Sequence, residues 1–194
     1  ELAHPNTAAV AHTWGCMFRQ LLRDRQSAHD QAEAAVALAT EQGFPLYRAA
    51  GTVVRGWALA DGGRAEEGIA EIRRGLAAYG ATGAEMWSPY FLGLLADAHR
   101  RAGRAAAGLS LVADALDRAE RTGGSWIEAE LHRLRGELLL ALPERDHTGA
   151  EASFRRALAV ARGQGARMWE LRAAMGLVHS QRRSCARGRR ATSG

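Results

Sequence analysis

At 194 residues the chain fits one domain or a short repeat array, and a compact chain of that size buries roughly 70% of its unfolded surface, enough for a core without staples. Apolar residues make up 47% and aromatics only 6%, with β-branched residues scarce, a balance that favours close-packed helices and argues against sheets. The net charge of +5 would ordinarily suggest nucleic acid, but residues 181–194 hold five Arg and no acid, so residues 1–180 are near neutral and the basic signal belongs to the tail.

The first predicted helix covers 6–22, behind Pro5, where a missing N–H costs little. The second covers 26–42 and stops at Gly43, a C-terminal cap. Helices follow over 46–61 behind Pro45, and over 65–80 ahead of Gly83. The next pair covers 86–102, with Pro89 in its first turn, and 105–121 ahead of Gly123. A fourth pair covers 126–142 and 148–163, separated by an irregular stretch over 143–148 and closed by Gly165. A last first helix covers 167–181, and 181–194 reads as a basic flexible tail.

These elements repeat. Gly83-Ala84-Glu85-Met86-Trp87 returns as Gly165-Ala166-Arg167-Met168-Trp169, 82 residues later. Gly123-Gly124-Ser125-Trp126 lies halfway between, and Gly43-Phe44-Pro45-Leu46-Tyr47 one period earlier, so a Gly followed by a large aromatic recurs about every 40 residues. Small residues recur in phase as well: Gly56 precedes Gly68, Ile72 and Gly75, and Gly136 precedes Ala150, Phe154 and Ala157. Small against small lets two antiparallel helices approach closely. Such a hairpin cannot bury its apolar stripe alone, so hairpins stack.

This pattern resembles the tetratricopeptide repeat family over about residues 6–180, with a longer period than the usual repeat. The resemblance implies an all-α fold: a right-handed α-α superhelix of about four and a half hairpins, over 6–42, 46–80, 86–121, 126–163 and the lone helix 167–181, in one domain spanning 1–180. A narrower likeness rests on His4-Pro5, Arg55 to Ala60, Pro89 to Leu92, Arg133 to Leu140 and Glu170 to Ala174. Together these are similar to the C-terminal repeat region of large bacterial signalling proteins, in which a nucleotide cyclase or transcription-regulator domain precedes an ATPase domain. It implies a regulatory scaffolding part of such a protein, or alternatively a small-molecule-sensing repeat domain of an ATPase-linked regulator. It also implies a concave groove that holds a protein or peptide, lined by Tyr90, Asp97, Arg100 and Arg101 from the third hairpin and by Glu130, Arg133 and Glu137 from the fourth. Arg100, Arg101 and Arg133 would clamp a carboxylate there, or pair with acids of the chain itself.

Catalytic chemistry finds little footing. None of the seven His pairs with another at helical metal spacing, and His99 stands at the repeat's aromatic position, a packed role. Gly62-Gly63-Arg64 and Gly103-Arg104 are hairpin turns rather than phosphate loops, and Ser110 and Ser153 lack a nucleophile elbow. Trp87, Trp126 and Trp169 are expected to wedge between hairpins. We therefore expect no catalytic residue, metal or cofactor. Cys16 and Cys185 lie far apart without ligand spacing, which fits a reducing cytoplasm, and no apolar run approaches a membrane span. The chain opens at Glu1 without a signal peptide and reads as a piece of a longer protein. Self-association is a further expectation, because an uncapped array exposes an apolar end.

Overall fold

The computed structural model describes residues 4–191, and the side chains of 4–182. Nine α-helices occupy most of these residues: α1 (Pro5–Leu21), α2 (Arg25–Glu41), α3 (Pro45–Asp61), α4 (Ala65–Ala81), α5 (Ser88–Arg101), α6 (Ala105–Thr122), α7 (Glu128–Ala141), α8 (His147–Gly163) and α9 (Arg167–Ala191). The helices predicted from the repeat are all present, and within each unit consecutive helices pack on one another, which fits a helical-repeat fold. Six of the eight breaks between them carry backbone that only Gly adopts without strain: Gly43, Gly63, Gly83, Gly103, Gly123 and Gly165 all have positive φ.

Two boundaries differ from the sequence expectation. A short 3-10 turn (Ser125–Ile127) precedes α7, and it shifts the buried position by one residue. Ile127 is buried there, while Trp126 is 39% exposed and does not wedge between hairpins; Trp87 and Trp169 are buried. The helix expected to end at 181 stays helical through Ala191. Arg and Ala are good helix formers, and the backbone passes 181 without a Pro or a paired Gly to stop it. The side chains of that basic stretch, Cys185 included, lie outside the described residues.

The chain forms two compact units, Glu1–Ala102 and Gly103–Gly194, and the division falls inside the predicted 86–121 hairpin. In the first unit α3 is central and packs against α2, α4, α1 and α5. Gly56 and Gly68 make the α3–α4 contact possible: a Cβ on Gly68 would lie 2.5 Å from the Gly56 carbonyl oxygen and 2.8 Å from the Ala60 nitrogen. Around this contact Val53, Val54, Trp57 and Ile72 are buried. At the other end Tyr79 stacks on Trp87 with centroids 6.0 Å apart and meets the edge of Phe91 at 5.0 Å. The Trp87 backbone N–H donates to the Tyr79 hydroxyl at 3.1 Å. Buried Glu71 on α4 accepts from Arg55 of α3 and Arg74, and Arg55 also reaches Glu33 of α2, so one charge network ties three helices.

In the second unit α7 packs against α6, α8 and α9 around Leu131, Leu134, Leu138 and Phe154. Asp146 caps α8, accepting the Gly149 N–H at 2.7 Å.

Cys16 lies fully buried on α1, and its thiol donates to the Thr13 carbonyl at 3.0 Å. Burial pushes the thiol up to about 12, so almost no thiolate forms near neutrality. Iodoacetamide at about pH 8 is expected to leave Cys16 unmodified in the folded chain and to alkylate it in urea, at least about a hundredfold faster, when the tryptic peptide is weighed. Ready labelling of the folded chain would contradict this packing.

Candidate functional site

The seven residues expected to line a groove fall into both units, four in the first and three in the second. In the first, Tyr90 is fully buried, and its hydroxyl donates to Gln20 Oε1 of α1 at 2.8 Å. Burial raises its pKa well above the phenolic range. Asp97 on α5 is 3% exposed and gathers three guanidiniums. Arg100 donates to it through Nε at 3.0 Å and Nη2 at 2.8 Å, Arg101 through Nε at 3.2 Å, and Arg23 through Nη1 at 3.3 Å. Burial by itself would raise the Asp97 carboxyl, but Arg100, Arg23 and Arg101 together hold it well below the usual carboxylate range. Arg101 also donates to Asp61 Oδ1 at 2.6 Å. Arg100 and Arg101 thus already hold carboxylates of this chain.

Arg23 occupies the turn after α1 at the place where the later hairpins carry Gly. Its φ is 62°, and it is the one non-glycine with positive φ among the described residues. Left-handed backbone at Arg is strained by roughly 1 kcal/mol, and the ion pair with Asp97 helps to offset that.

In the second unit Arg133 is buried on α7 and forks onto Glu130, Nε at 2.7 Å and Nη2 at 2.8 Å, with Nη1 on Glu137. Beside it Phe154 of α8 is wedged between two glycines. A Cβ on Gly136 of α7 would lie 2.8 Å from the ring, and one on Gly176 of α9 would lie 2.5 Å from it. The ring therefore sets the spacing of α7 and α9. Between them opens a cleft of about 370 Å³ lined by Arg133, Glu137, Leu140, Phe154, Arg172, Met175, Gly176 and His179. Phe154, Leu140 and Met175 give it apolar surface and Arg133, Glu137, Arg172 and His179 give it polar groups, with the Arg172 guanidinium 6.0 Å from the Trp169 ring centre. A second cavity, about 640 Å³, lies among α6, α7 and α8. Its polar wall is paired internally: Glu128 meets Arg156 at 3.1 Å and His132 at 3.5 Å. Burial pushes His132 down despite that carboxylate.

Of the residues expected at the groove, the structure brings Arg133 and Glu137 to this cleft; Leu140, Met175 and His179 were not anticipated. An exposed apolar end was expected without named residues; the structure shows two exposed apolar rows, Trp14 and Phe18 on α1 with Leu22 just after it, and Leu171, Met175 and Val178 on α9. The signal for the second row was in the repeat register. Counted from the preceding turn glycine, Leu171, Met175 and Val178 stand where Ala49, Val53 and Gly56 stand on α3, three repeats earlier, and each is larger than its counterpart.

Ser110 and Ser153 donate their hydroxyls to the helix carbonyls of Ala106 and Gly149. Among the described residues no group of three or more His, Cys, Asp and Glu is placed to hold a metal ion, and no helix is long and apolar enough to cross a membrane. No family model matches the chain, and no curated protein matches it.

Proposed function

We propose that this chain is a tetratricopeptide-type interaction module that binds a segment of a partner protein in the cleft between α7 and α9, as the regulatory part of a larger signalling ATPase or nucleotide cyclase. The observation that carries this reading is the cleft itself, lined by apolar Phe154 and Leu140 together with Arg133, Arg172 and His179. Apolar surface with a few placed polar groups suits a side chain flanked by backbone and charge. The helical-repeat fold supports the reading, because rigid first helices present such a surface without rearrangement.

The test is selection of peptides from a random library on the full chain, followed by calorimetry. Leu140→Asp places a charge on the cleft wall at a half-buried position. It is expected to weaken the selected peptides at least about tenfold while the melting temperature stays close to that of the parent. Selection of no peptide, or of peptides indifferent to Leu140→Asp, would overturn the reading.

A further inference from the structure

The repeat register assigns the same helix face to each first helix. On α3 that face is Ala49, Val53, Gly56 and Ala60, and α4 covers it: a Cβ on Gly75 would lie 2.6 Å from Val53 Cγ2, and one on Gly68 would lie 2.8 Å from Ala60 Cβ. On α1 the face is Ala9, Thr13, Cys16 and Gln20, all buried. On α7 it is Ala129, Arg133, Gly136 and Leu140, with Gly136 set against Phe154 of α8. On α9 the same positions are Leu171, Met175, Val178 and Arg182. Leu171 is 64% exposed, Met175 63% and Val178 47%, so the face that a second helix covers on α3 is open on α9. The α3 chain turns back after Asp61, whereas α9 passes the corresponding point and stays helical through Ala191. Residues 184–191 therefore do not fold back across the row.

We infer that this face of α9 receives an amphipathic, acidic helix from a partner protein, seated on it as α4 is seated on α3. Charge selects the occupant. From Leu171 to Arg182 the sequence has no carboxylate, the row is bordered by Arg172, His179 and Arg182, and Arg183, Arg187, Arg189 and Arg190 follow. A second copy of α9 would bring like charge against like, whereas a helix carrying Glu or Asp on its flanks complements the face. Shape favours a helix over an anionic bilayer. Beside the row lies a hollow of about 360 Å³ lined by Ala174, Met175, Val178, His179 and Arg182, which takes one large apolar side chain. Val178 replaces the Gly that lets α4 touch α3 at the backbone, so the guest helix sits further out and packs through its side chains, in ordinary ridge-and-groove fashion.

This inference rests on the reading of the chain as a partner-binding module; the row meets the cleft at Met175 and His179 and extends beyond it through Leu171, Val178 and Arg182. The probe is a helix-stapled peptide of about eighteen residues made of Leu, Ala and Glu, with Leu recurring at i, i+4 and i+7. Its binding to the full chain is followed by fluorescence anisotropy and by a Val178 methyl resonance, a residue of the row that does not line the cleft. The acidic peptide is expected to bind and shift that resonance. Leu171→Asp with Val178→Asp, both at exposed positions, is expected to weaken it at least about tenfold, while Leu140→Asp in the cleft leaves it unchanged. Exchanging every Glu of the peptide for Lys is expected to abolish binding without touching the chain at all. Equal binding of the two peptides, failure of the acidic one, dimerisation of the chain lost in the double variant, or preference for anionic vesicles over the peptide would each overturn the inference. If library peptides still bind through Leu140 in that event, the cleft reading survives; if neither probe binds, both fall.

Discussion

Gly68→Val is expected to lower the melting temperature of the full chain by more than about 10 °C. A Cβ at this position meets the Gly56 carbonyl oxygen at 2.5 Å, with the Ala60 nitrogen and Ala60 Cβ both at 2.8 Å. Two of these atoms are backbone, so no side chain can swing aside and the α3 and α4 axes must separate. Overpacking of this kind costs about 1–3 kcal/mol or more, and a branched residue adds two methyl groups to the clash. For a unit of about a hundred residues each kcal/mol is about 4–8 °C. Gly80→Ala on the same helix is the control. Nothing lies within 4 Å of a Cβ there, so the gain in helix propensity stands alone and the variant is expected to be more stable by about 0.5–1 kcal/mol. Thermal unfolding followed by circular dichroism reads both. A Gly68→Val shift below about 2 °C would show that the two helices do not touch at this point.

Asp97→Asn is expected to cost about 2–3 kcal/mol at neutral pH. The substitution keeps the shape but removes the one charge that Arg23, Arg100 and Arg101 share. Removing one partner of a buried pair costs about 3–5 kcal/mol, and the figure is set lower here because the three Arg side chains are 26–31% exposed. The effect should depend on pH in one direction. The folded-state carboxyl is held below its unfolded value, so its stabilisation is complete above about pH 4 and is lost as pH falls through the folded pKa. Urea midpoints of parent and variant are therefore expected to differ most near pH 7 and to converge as the pH is lowered below about 4. Parallel curves across that range would mean that Asp97 contributes through shape and not through charge.

The helices and turns were legible because each depends on nearby residues. Gly at a cap, Pro in a first turn and small residues in phase act within a few positions. What the sequence concealed depends on long-range geometry. Arg100 and Arg101 offered themselves as a clamp for a partner, but their acids lie on α5 itself and at Asp61, and the third cation on Asp97 comes from Arg23, 74 positions away. Tyr90 read as a surface aromatic, yet its partner Gln20 sits on α1, 70 positions earlier. Trp126 was misplaced by one residue, because a 3-10 turn has a different period from the α-helix that follows. Arg133 and Glu137, expected at a groove from the family resemblance, line the cleft between α7 and α9. Met175 and His179 needed the fact that the Phe154 ring stands between Gly136 and Gly176 and so holds α9 beside α7.

The link from α1 to α5 bears on how each unit loses its structure. Most packing in both units joins helices adjacent in the chain, an arrangement that opens readily from an end, one hairpin at a time. In residues 1–102 the Arg23–Asp97 and Gln20–Tyr90 bonds join the first helix to the last, so neither end can peel away without opening a buried charge and a buried hydroxyl. With that clasp the first unit is expected to open as one body. The second unit has α9 held on α7 and α8 by buried Trp169, Ala173 and Ser180, the Phe154 ring and the Arg162–Glu170 and Gln181–Glu151 bonds, with no comparable bond from α9 to α6 among those described, so α9 is expected to open before α6, α7 and α8 part. Amide hydrogens would then exchange as one set in residues 1–102 and as a gradient rising toward α9 in the remainder.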